Sequence, residues 1–177
     1  MSRMADLDSW KARIDAVESR LGEVAAPTAD SAPAEGALTN PDPKTGEQWE
    51  EGQVWGHLAE FIQFWIEQAG DVIDAYRGEP IPFGRTRADP TRLAGIEQGR
   101  HVTIESLWQE VRADLTDLRG FLGALPEGWE SSVGLHTTLG PIPTERVVEE
   151  FLISHLEEHA AQLESLARGG TEGLDSL

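Results

Sequence analysis

Hydrophobic residues recur at steps of three and four along four segments of the chain, and this spacing predicts four amphipathic helices. We predict the first helix over residues 6–23, the second over roughly 48–77, the third around 104–122, and the fourth from near Thr144 to Gly169 and Gly170. The apolar positions are Leu7, Trp10, Ile14, Val17 and Leu21, then Val54, Leu58, Phe61, Trp65 and Val72, then Ile104, Leu107, Val111, Leu115, Leu118 and Leu122, and finally Val148, Leu152, Leu156, Leu163 and Leu166. No convincing run of strands accompanies them, so the sequence predicts an all-α four-helix bundle.

Three connections separate the predicted helices, over residues 25–46, 78–95 and 124–143, and proline and glycine recur in all of them. They are longer than the roughly two to eight residues that usually join the helices of a bundle. We therefore expect them to carry short extra elements, or to lie over one end of the bundle and shape a pocket. Residues 1–168 are predicted to form one domain with one core, and residues 169–177 a short C-terminal tail.

The composition limits the partners that the protein can have. It contains 32 acidic residues against 14 basic ones, for a formal net charge of -18. Such a charge repels phosphate backbones and anionic membrane surfaces, so we expect neither nucleic acid nor membrane as a partner. No apolar stretch is long enough to span a membrane, and charged residues interrupt the N-terminal segment, so a cytoplasmic location is the default expectation.

The chain contains no cysteine. Disulfides and thiolate ligation of a metal are therefore excluded, and a bound metal would need histidine and carboxylate ligands. A reaction that requires a thiol would have to take it from a small molecule.

Three histidines share the apolar faces of the predicted helices. His155 and His159 are four residues apart, which places both imidazoles on one helix face, and His57 lies on the apolar stripe of the second helix. A lone histidine on such a face is usually a core residue with satisfied hydrogen bonds. Three of them are harder to explain in that way, because an unpaired buried nitrogen costs about 1–3 kcal/mol. A shared cation would satisfy one nitrogen on each ring and keep a coordination position open for chemistry.

The segment HLEEH also fits the inverted zinc-protease pattern, with Glu158 as general base. That mechanism needs a carboxylate ligand further along the chain, and only Glu164, Glu172 and Asp175 follow, which disfavours a protease. Glu157 and Glu158 are better explained as solvated side chains or as groups that orient a ligand, and Glu158 is the better candidate for orienting one.

Other polar and aromatic residues are weaker candidates. His101 is expected at the surface or near a helix start, with a fourth metal ligand as its alternative. His136 is expected in a solvated loop, with a contact at the rim of a pocket as its alternative. Two tryptophans, Trp49 and Trp55, lie near His57 in the sequence and are candidates to line its pocket. Five arginines cluster between the second and third helices: Arg77, Arg85, Arg87, Arg92 and Arg100. Local salt bridges are the favoured explanation for this cluster, and binding of a carboxylate-bearing ligand is the alternative.

The segments WEEGQVWGHLAEF and LGPIPTERVVEEFLISHLEEHAAQLESL resemble the DinB/YfiT-like superfamily, which includes the metal-binding domain of mycothiol-dependent maleylpyruvate isomerase. This resemblance extends from the first helix to about Arg168. It implies a four-helix bundle, often homodimeric, that binds a divalent metal through His57, His155 and His159. Some members use the metal to bind the thiolate of mycothiol or bacillithiol for transfer or isomerisation chemistry.

Three functions are consistent with these observations. Our leading hypothesis is a metal-dependent thiol S-transferase or related detoxification enzyme, in which the metal lowers the pKa of an external thiol. The second is a metal-dependent hydrolase with Glu158 or a nearby carboxylate as base. The third is a non-catalytic bundle that binds a metal, ligand or partner. Zinc, nickel, iron and manganese all suit such a histidine site.

Overall fold

Four long helices form the body of the protein in a computed structural model that describes residues 3–172, with side chains described for 7–169. The long helices are α1 (Arg3–Ala25), α2 (Glu51–Ala75), α4 (Ile104–Ala124) and a last helix in three parts. A short helix, α3 (Pro90–Gln98), lies between α2 and α4. The parts of the last helix are α5 (Thr144–Arg146), a π-helical segment (Val147–Ile153) and α6 (Ser154–Glu172). Single 3-10 turns occur at Ala26–Thr28, Gly99–His101 and Trp129–Ser131. The predicted four-helix bundle is confirmed, with α3 as an additional helix.

The core lies between α1, α2, α4 and the last helix, and most of the predicted apolar stripes are buried in it. Its largest fully buried side chains include Trp55, Phe61, Ile14, Leu21, Leu58, Ile62, Ile104, Leu115, Leu118, Leu122 and Leu152. Among the described residues, no helix combines the length and apolar character that crossing a membrane would require.

The helix boundaries differ from the predicted ones for local reasons. Helix α2 begins at Glu51 because Glu50 and Gln53 form a reciprocal capping box, in which Gln53 Oε1 accepts from the Glu50 backbone N–H at 3.0 Å. Helix α6 continues through Gly169 and Gly170 to Glu172, so the predicted end at this glycine pair is wrong. The rest of the predicted tail, residues 173–177, lies outside the described residues.

The connections contain a small sheet that the apolar pattern did not predict. Its strands are β1 (Ile81–Phe83), β2 (Val133–His136) and β3 (Gly140–Pro143), with β1 parallel and β3 antiparallel to β2. The sheet packs on the C-terminal half of α2 through a second apolar cluster, which consists of Ala69, Val72, Phe83, Ile142 and Val147. Long connections thus carry short elements, as expected.

His136 lies on β2, so its placement in a solvated loop is wrong. The ring is buried and packs against Trp65 and Phe151, with centroid distances of 6.2 and 5.7 Å. Its Nδ1 atom accepts from the backbone N–H groups of Thr138 and Leu139 at 3.2 and 3.3 Å. The imidazole therefore closes the β2–β3 turn and fills the space under the sheet.

Helix α3 docks on α2 through glycines on both helices. A Cβ atom on Gly56 would lie 2.6 Å from the Gly95 carbonyl oxygen, and one on Gly99 would lie 2.7 Å from the Gly56 nitrogen. Real Cβ atoms do not approach backbone this closely, so glycine is required for the two helices to pack at this distance. The position of α3 against the N-terminal half of α2 is consequently well defined.

Candidate metal centre

The bundle brings His57 on α2 together with His155 and His159 on α6. The Nε2 atom of His155 lies 3.1 Å from that of His57 and 3.1 Å from that of His159. One nitrogen from each ring lies within 4.8 Å of the other two, close enough for all three to bind one cation. His57 and His159 are each only 4% exposed, whereas His155 is partly exposed.

The π-helical segment lies directly before the two histidines of α6. A π turn adds one residue to the helical repeat, which rotates the following residues by about 100° relative to an uninterrupted α-helix. Glu149, within this segment, accepts from Trp10 and Arg13 of α1 and from Ser154 at the start of α6. These contacts hold the segment against α1 and place the following turns with His155 and His159 facing α2.

Each of the three imidazoles contacts an oxygen atom three residues further along its own helix. His57 Nδ1 lies 2.7 Å from Glu60 Oε1, and His159 Nδ1 lies 2.8 Å from Gln162 Oε1. His155 Nδ1 lies 3.5 Å from the largely exposed Glu158. Because the Glu60 and Gln162 oxygens accept hydrogen bonds, His57 and His159 carry their protons on Nδ1 and direct their Nε2 lone pairs toward the Nε2 atom of His155.

This donor set fits a divalent cation. Converging ring nitrogens at 3.1 Å repel one another unless a proton or a cation lies between them. Three neutral imidazole nitrogens, two of them oriented by hydrogen bonds at their other nitrogens, are the kind of arrangement found at metal sites with an open coordination position.

Burial keeps the two inner histidines neutral. It lowers the pKa of His57 and of His159 well below the ordinary value, and the neighbouring imidazoles lower each further. Neutral imidazole is the form that binds metal. Burial also raises the pKa of Glu60, while its ion pair with Arg85 opposes that shift. Arg85, Glu60 and His57 thus form a continuous chain of hydrogen-bonded side chains that ends at the candidate site.

Aromatic rings surround the histidines. Trp49 contacts His57 edge-on at a centroid distance of 4.9 Å and stacks on His159 at 5.8 Å. Phe61 lies 5.0 Å from His57 and 4.8 Å from His155. Of the two tryptophans predicted to line the pocket, Trp49 contacts the histidines. Trp55 packs against Trp108 in the core, so its assignment to the pocket is wrong.

The remaining candidates lie elsewhere. His101 is at the surface, as predicted, and its side chain is 73% exposed. Glu164 is hydrogen-bonded to Arg20, away from the histidines, which removes it as a protease ligand. Glu157 is partly exposed and forms an ion pair with Arg13 at 2.7 Å, so its carboxylate contacts α1 and does not orient a histidine.

The sequence analysis missed Glu60 and Gln162. The i,i+3 spacing that links each of them to its histidine is a local signal that could have indicated both.

Comparison with solved structures places this arrangement in a known fold. The chain is similar to YfiT from Bacillus subtilis, which is described as a probable metal-dependent hydrolase with an unusual four-helix bundle topology. The two share 17% sequence identity and superpose with a TM-score of 0.71, over 97% of this chain and 90% of YfiT. It is also similar to the mycothiol-dependent maleylpyruvate isomerase, at 14% identity and a TM-score of 0.63. That match covers 92% of this chain and 63% of the isomerase. An uncharacterised protein from Clostridium difficile 630 shares the fold at 4% identity and a TM-score of 0.65.

These likenesses confirm, at the level of the fold, the resemblance predicted from the sequence. No family model matches the chain, and no curated protein matches it. The function must therefore be argued from the site.

Proposed function

We propose that the protein is a divalent-metal-dependent enzyme in which His57, His155 and His159 hold the cation through their Nε2 atoms. We further propose that it acts on a low-molecular-weight thiol of the mycothiol or bacillithiol type, in S-transfer or isomerisation. The observation that carries the proposal is the convergence of three ring nitrogens within 4.8 Å, with each opposite nitrogen beside an acceptor oxygen.

A divalent cation would supply Lewis acidity, which lowers the pKa of a thiol so that thiolate predominates near neutral pH. The chain supplies the rest of the site. Glu60 and Gln162 hold His57 and His159 in the tautomer that presents Nε2. Trp49 and Phe61 shield the buried rings from water, while the partly exposed edge of His155 leaves a route from solvent. The chain has no cysteine of its own to compete for the metal.

The fold neighbours support this assignment, because one is described as metal-dependent and another as mycothiol-dependent. The test uses untagged protein loaded with zinc, nickel, iron or manganese and a chromogenic electrophile, with and without mycothiol, bacillithiol or cysteine. We expect turnover that requires both thiol and metal. A His57→Ala variant should lose both the metal and the turnover, whereas the exposed His101→Ala variant should keep both. Loss of metal from His57→Ala without a change in rate would refute the proposal.

A second candidate function is hydrolysis, which the likeness to a probable metal-dependent hydrolase favours. Glu158 is the candidate base: its carboxylate is largely exposed and lies 3.5 Å from His155 Nδ1, and the contact with His155 lowers its pKa. To accept a proton from water beside the Nε2 atoms, this side chain would have to turn toward that edge of the ring. Turnover of an activated ester without any thiol, with a large loss of rate in Glu158→Gln, would favour hydrolysis over thiol transfer.

A further inference from the structure

The five arginines between α2 and α4 differ in their partners. Arg85, Arg87 and Arg100 form the predicted salt bridges, with Glu60, Glu47 and Glu50, although these acidic residues lie on α2 or before it. Arg77 forms none among the described residues: it is exposed and donates to the backbone carbonyls of Asp74 and Tyr76. Arg92 differs from them: it is partly buried, no carboxylate among the described side chains of residues 7–169 lies within 4.0 Å of it, and its Nη1 donates to the Arg87 carbonyl at 3.1 Å.

Arg92 lies beside the candidate metal centre. Its Cζ atom is 5.6 Å from the centroid of the Trp49 ring, and that ring also contacts His57 and His159. The positive charge of Arg92 contributes to the lowered pKa of both histidines, which agrees with this proximity. The guanidinium therefore approaches the same aromatic ring that covers the two buried imidazoles.

The backbone holds Arg92 in this position. Asp89 caps α3 by accepting from the Arg92 backbone N–H at 3.0 Å, and Pro90 begins the helix. The glycine contacts described above then fix α3 on α2, which also carries His57. Because one rigid unit positions both side chains, the separation between Arg92 and the histidines is built into the fold.

Arg92 is partly buried, and burial lowers its pKa, while the charges of Glu47 and Glu60 oppose that shift although neither carboxylate lies within 4.0 Å. A partly buried guanidinium without direct contact to a carboxylate is unusual in a chain with 32 acidic residues and 14 basic ones. A divalent cation at the histidines would add positive charge nearby. An anionic ligand would offset both charges, and guanidinium binds carboxylates through paired hydrogen bonds.

We propose that Arg92 binds an anionic group, a carboxylate or similar oxyanion, on the ligand whose donor atom occupies the metal. This inference rests on the proposed function and deepens it: the substrate or thiol cofactor carries a negative charge a short distance from its metal-binding atom. Arg85 cannot take this role, because Glu60 already holds it.

The test compares two thiols that differ in charge, 3-mercaptopropionate and 3-mercapto-1-propanol. Each is titrated into the cobalt-substituted full-length protein, and binding is followed by the thiolate-to-cobalt charge-transfer absorption. We expect the carboxylate thiol to bind at least about tenfold more tightly to the unaltered protein, as for a charge-assisted contact. Arg92→Gln should abolish this preference without changing the affinity for the alcohol, and Arg92→Lys should retain part of it.

The matched control is Arg87→Gln, because Arg87 lies in the same connection but is exposed and paired with Glu47. It should keep the full preference. Cobalt content is measured for every variant, so that loss of metal is not mistaken for loss of the anion contact. An unchanged preference in Arg92→Gln would overturn the inference.

Failure of the proposed function gives a different result. If neither thiol alters the cobalt spectrum, thiol activation fails, and the anion contact is then measured by calorimetry with succinate. Succinate binding to the unaltered protein and to Arg87→Gln, but not to Arg92→Gln, would support the contact at Arg92. Equal binding to all three proteins, or no binding to any, would overturn it.

Discussion

Replacing Glu60 by glutamine tests whether the contacts behind the histidines matter for metal binding. The carboxylate lies 2.7 Å from His57 Nδ1 and also pairs with Arg85, whose side chain is 9% exposed. Glutamine has the same shape but no charge, so it can satisfy His57 or Arg85 but cannot hold both with charge-assisted hydrogen bonds. The variant therefore weakens the orientation of one candidate ligand and leaves a buried guanidinium poorly paired.

The structure sets the size of the effect. Loss of the hydrogen-bonding partner of a ligating histidine typically weakens metal binding about 10- to 100-fold. Poor pairing of buried Arg85 adds a loss of stability of about 2–4 kcal/mol, below the full cost of breaking a buried pair because Asp89 remains 4.0 Å away. Glu158→Gln is the matched control, since Glu158 has the same i,i+3 relation to His155. Its side chain is 71% exposed and 3.5 Å from the ring, so we expect a change of less than about threefold.

The assay is competition for zinc against a chromogenic chelator, with urea unfolding of the apo proteins measured in parallel. Glu60→Gln should lose affinity and stability, and Glu158→Gln should resemble the unaltered protein in both. Equal zinc affinities in all three proteins, or equal losses in the two variants, would refute the idea that buried oxygen partners orient these imidazoles.

Three further predictions concern packing and pH. Gly56→Ala should lower the free energy of unfolding by about 1–3 kcal/mol, because its Cβ would meet the backbone of α3. Gly120→Ala, whose Cβ would have no atom within 4 Å, should raise the free energy of unfolding by about 0.5–1 kcal/mol. Urea titration measures both, and equal effects would contradict the α2–α3 contact. Burial raises the pKa of Asp114 from 3.8 to about 6, so stability falls as the pH rises through that interval and stays lower above it. Asp114→Asn should therefore stabilise the protein by up to about 3 kcal/mol at pH 8 and have little effect near pH 3, and a stability difference independent of pH would contradict the assignment. Metal bound at neutral pH should be released by about pH 4, as protons compete for the three imidazoles, and its retention there, measured by elemental analysis after dialysis, would argue against histidine ligation.

The helices and the histidine positions could be predicted because both depend on local periodicity. Four-residue spacing places His155 and His159 on one face whatever the rest of the fold does. The approach of His57 is not local, and its position on an apolar stripe indicated burial without indicating the partner. Packing of α2 against α6 in the bundle supplies that information.

The sheet and the π-helical segment could not be predicted in the same way. The strands of the sheet have only three or four residues, and several are glycine or proline. Burial alternates along β2, but Gly134 and His136 are its buried residues and Leu135 is exposed, so the apolar residues do not mark the buried face. The strands form because Phe83 packs over Gly134 and Ile142 joins the second apolar cluster, which are tertiary contacts. This also explains the error at His136, which was assigned to a loop because its neighbours are glycine-rich.

The roles of the arginines depend on geometry that the sequence does not contain. All five lie between α2 and α4 and look equivalent as charges, yet three pair with carboxylates, Arg77 is exposed at the end of α2, and Arg92 is partly buried with no carboxylate in contact among the described residues. Which carboxylates reach which guanidinium groups is decided by the docking of α3 on α2. Both helices carry paired glycines four residues apart, Gly52 with Gly56 and Gly95 with Gly99, and this spacing could have indicated the contact.

Anomalous diffraction from crystals of the untagged, metal-loaded protein tests the central claim most directly. Data collected on both sides of the absorption edge should show one strong peak per chain, about 2.0–2.2 Å from the Nε2 atoms of His57, His155 and His159. A peak at any other place, or no peak among the three imidazoles in protein that elemental analysis shows to contain metal, would contradict the account.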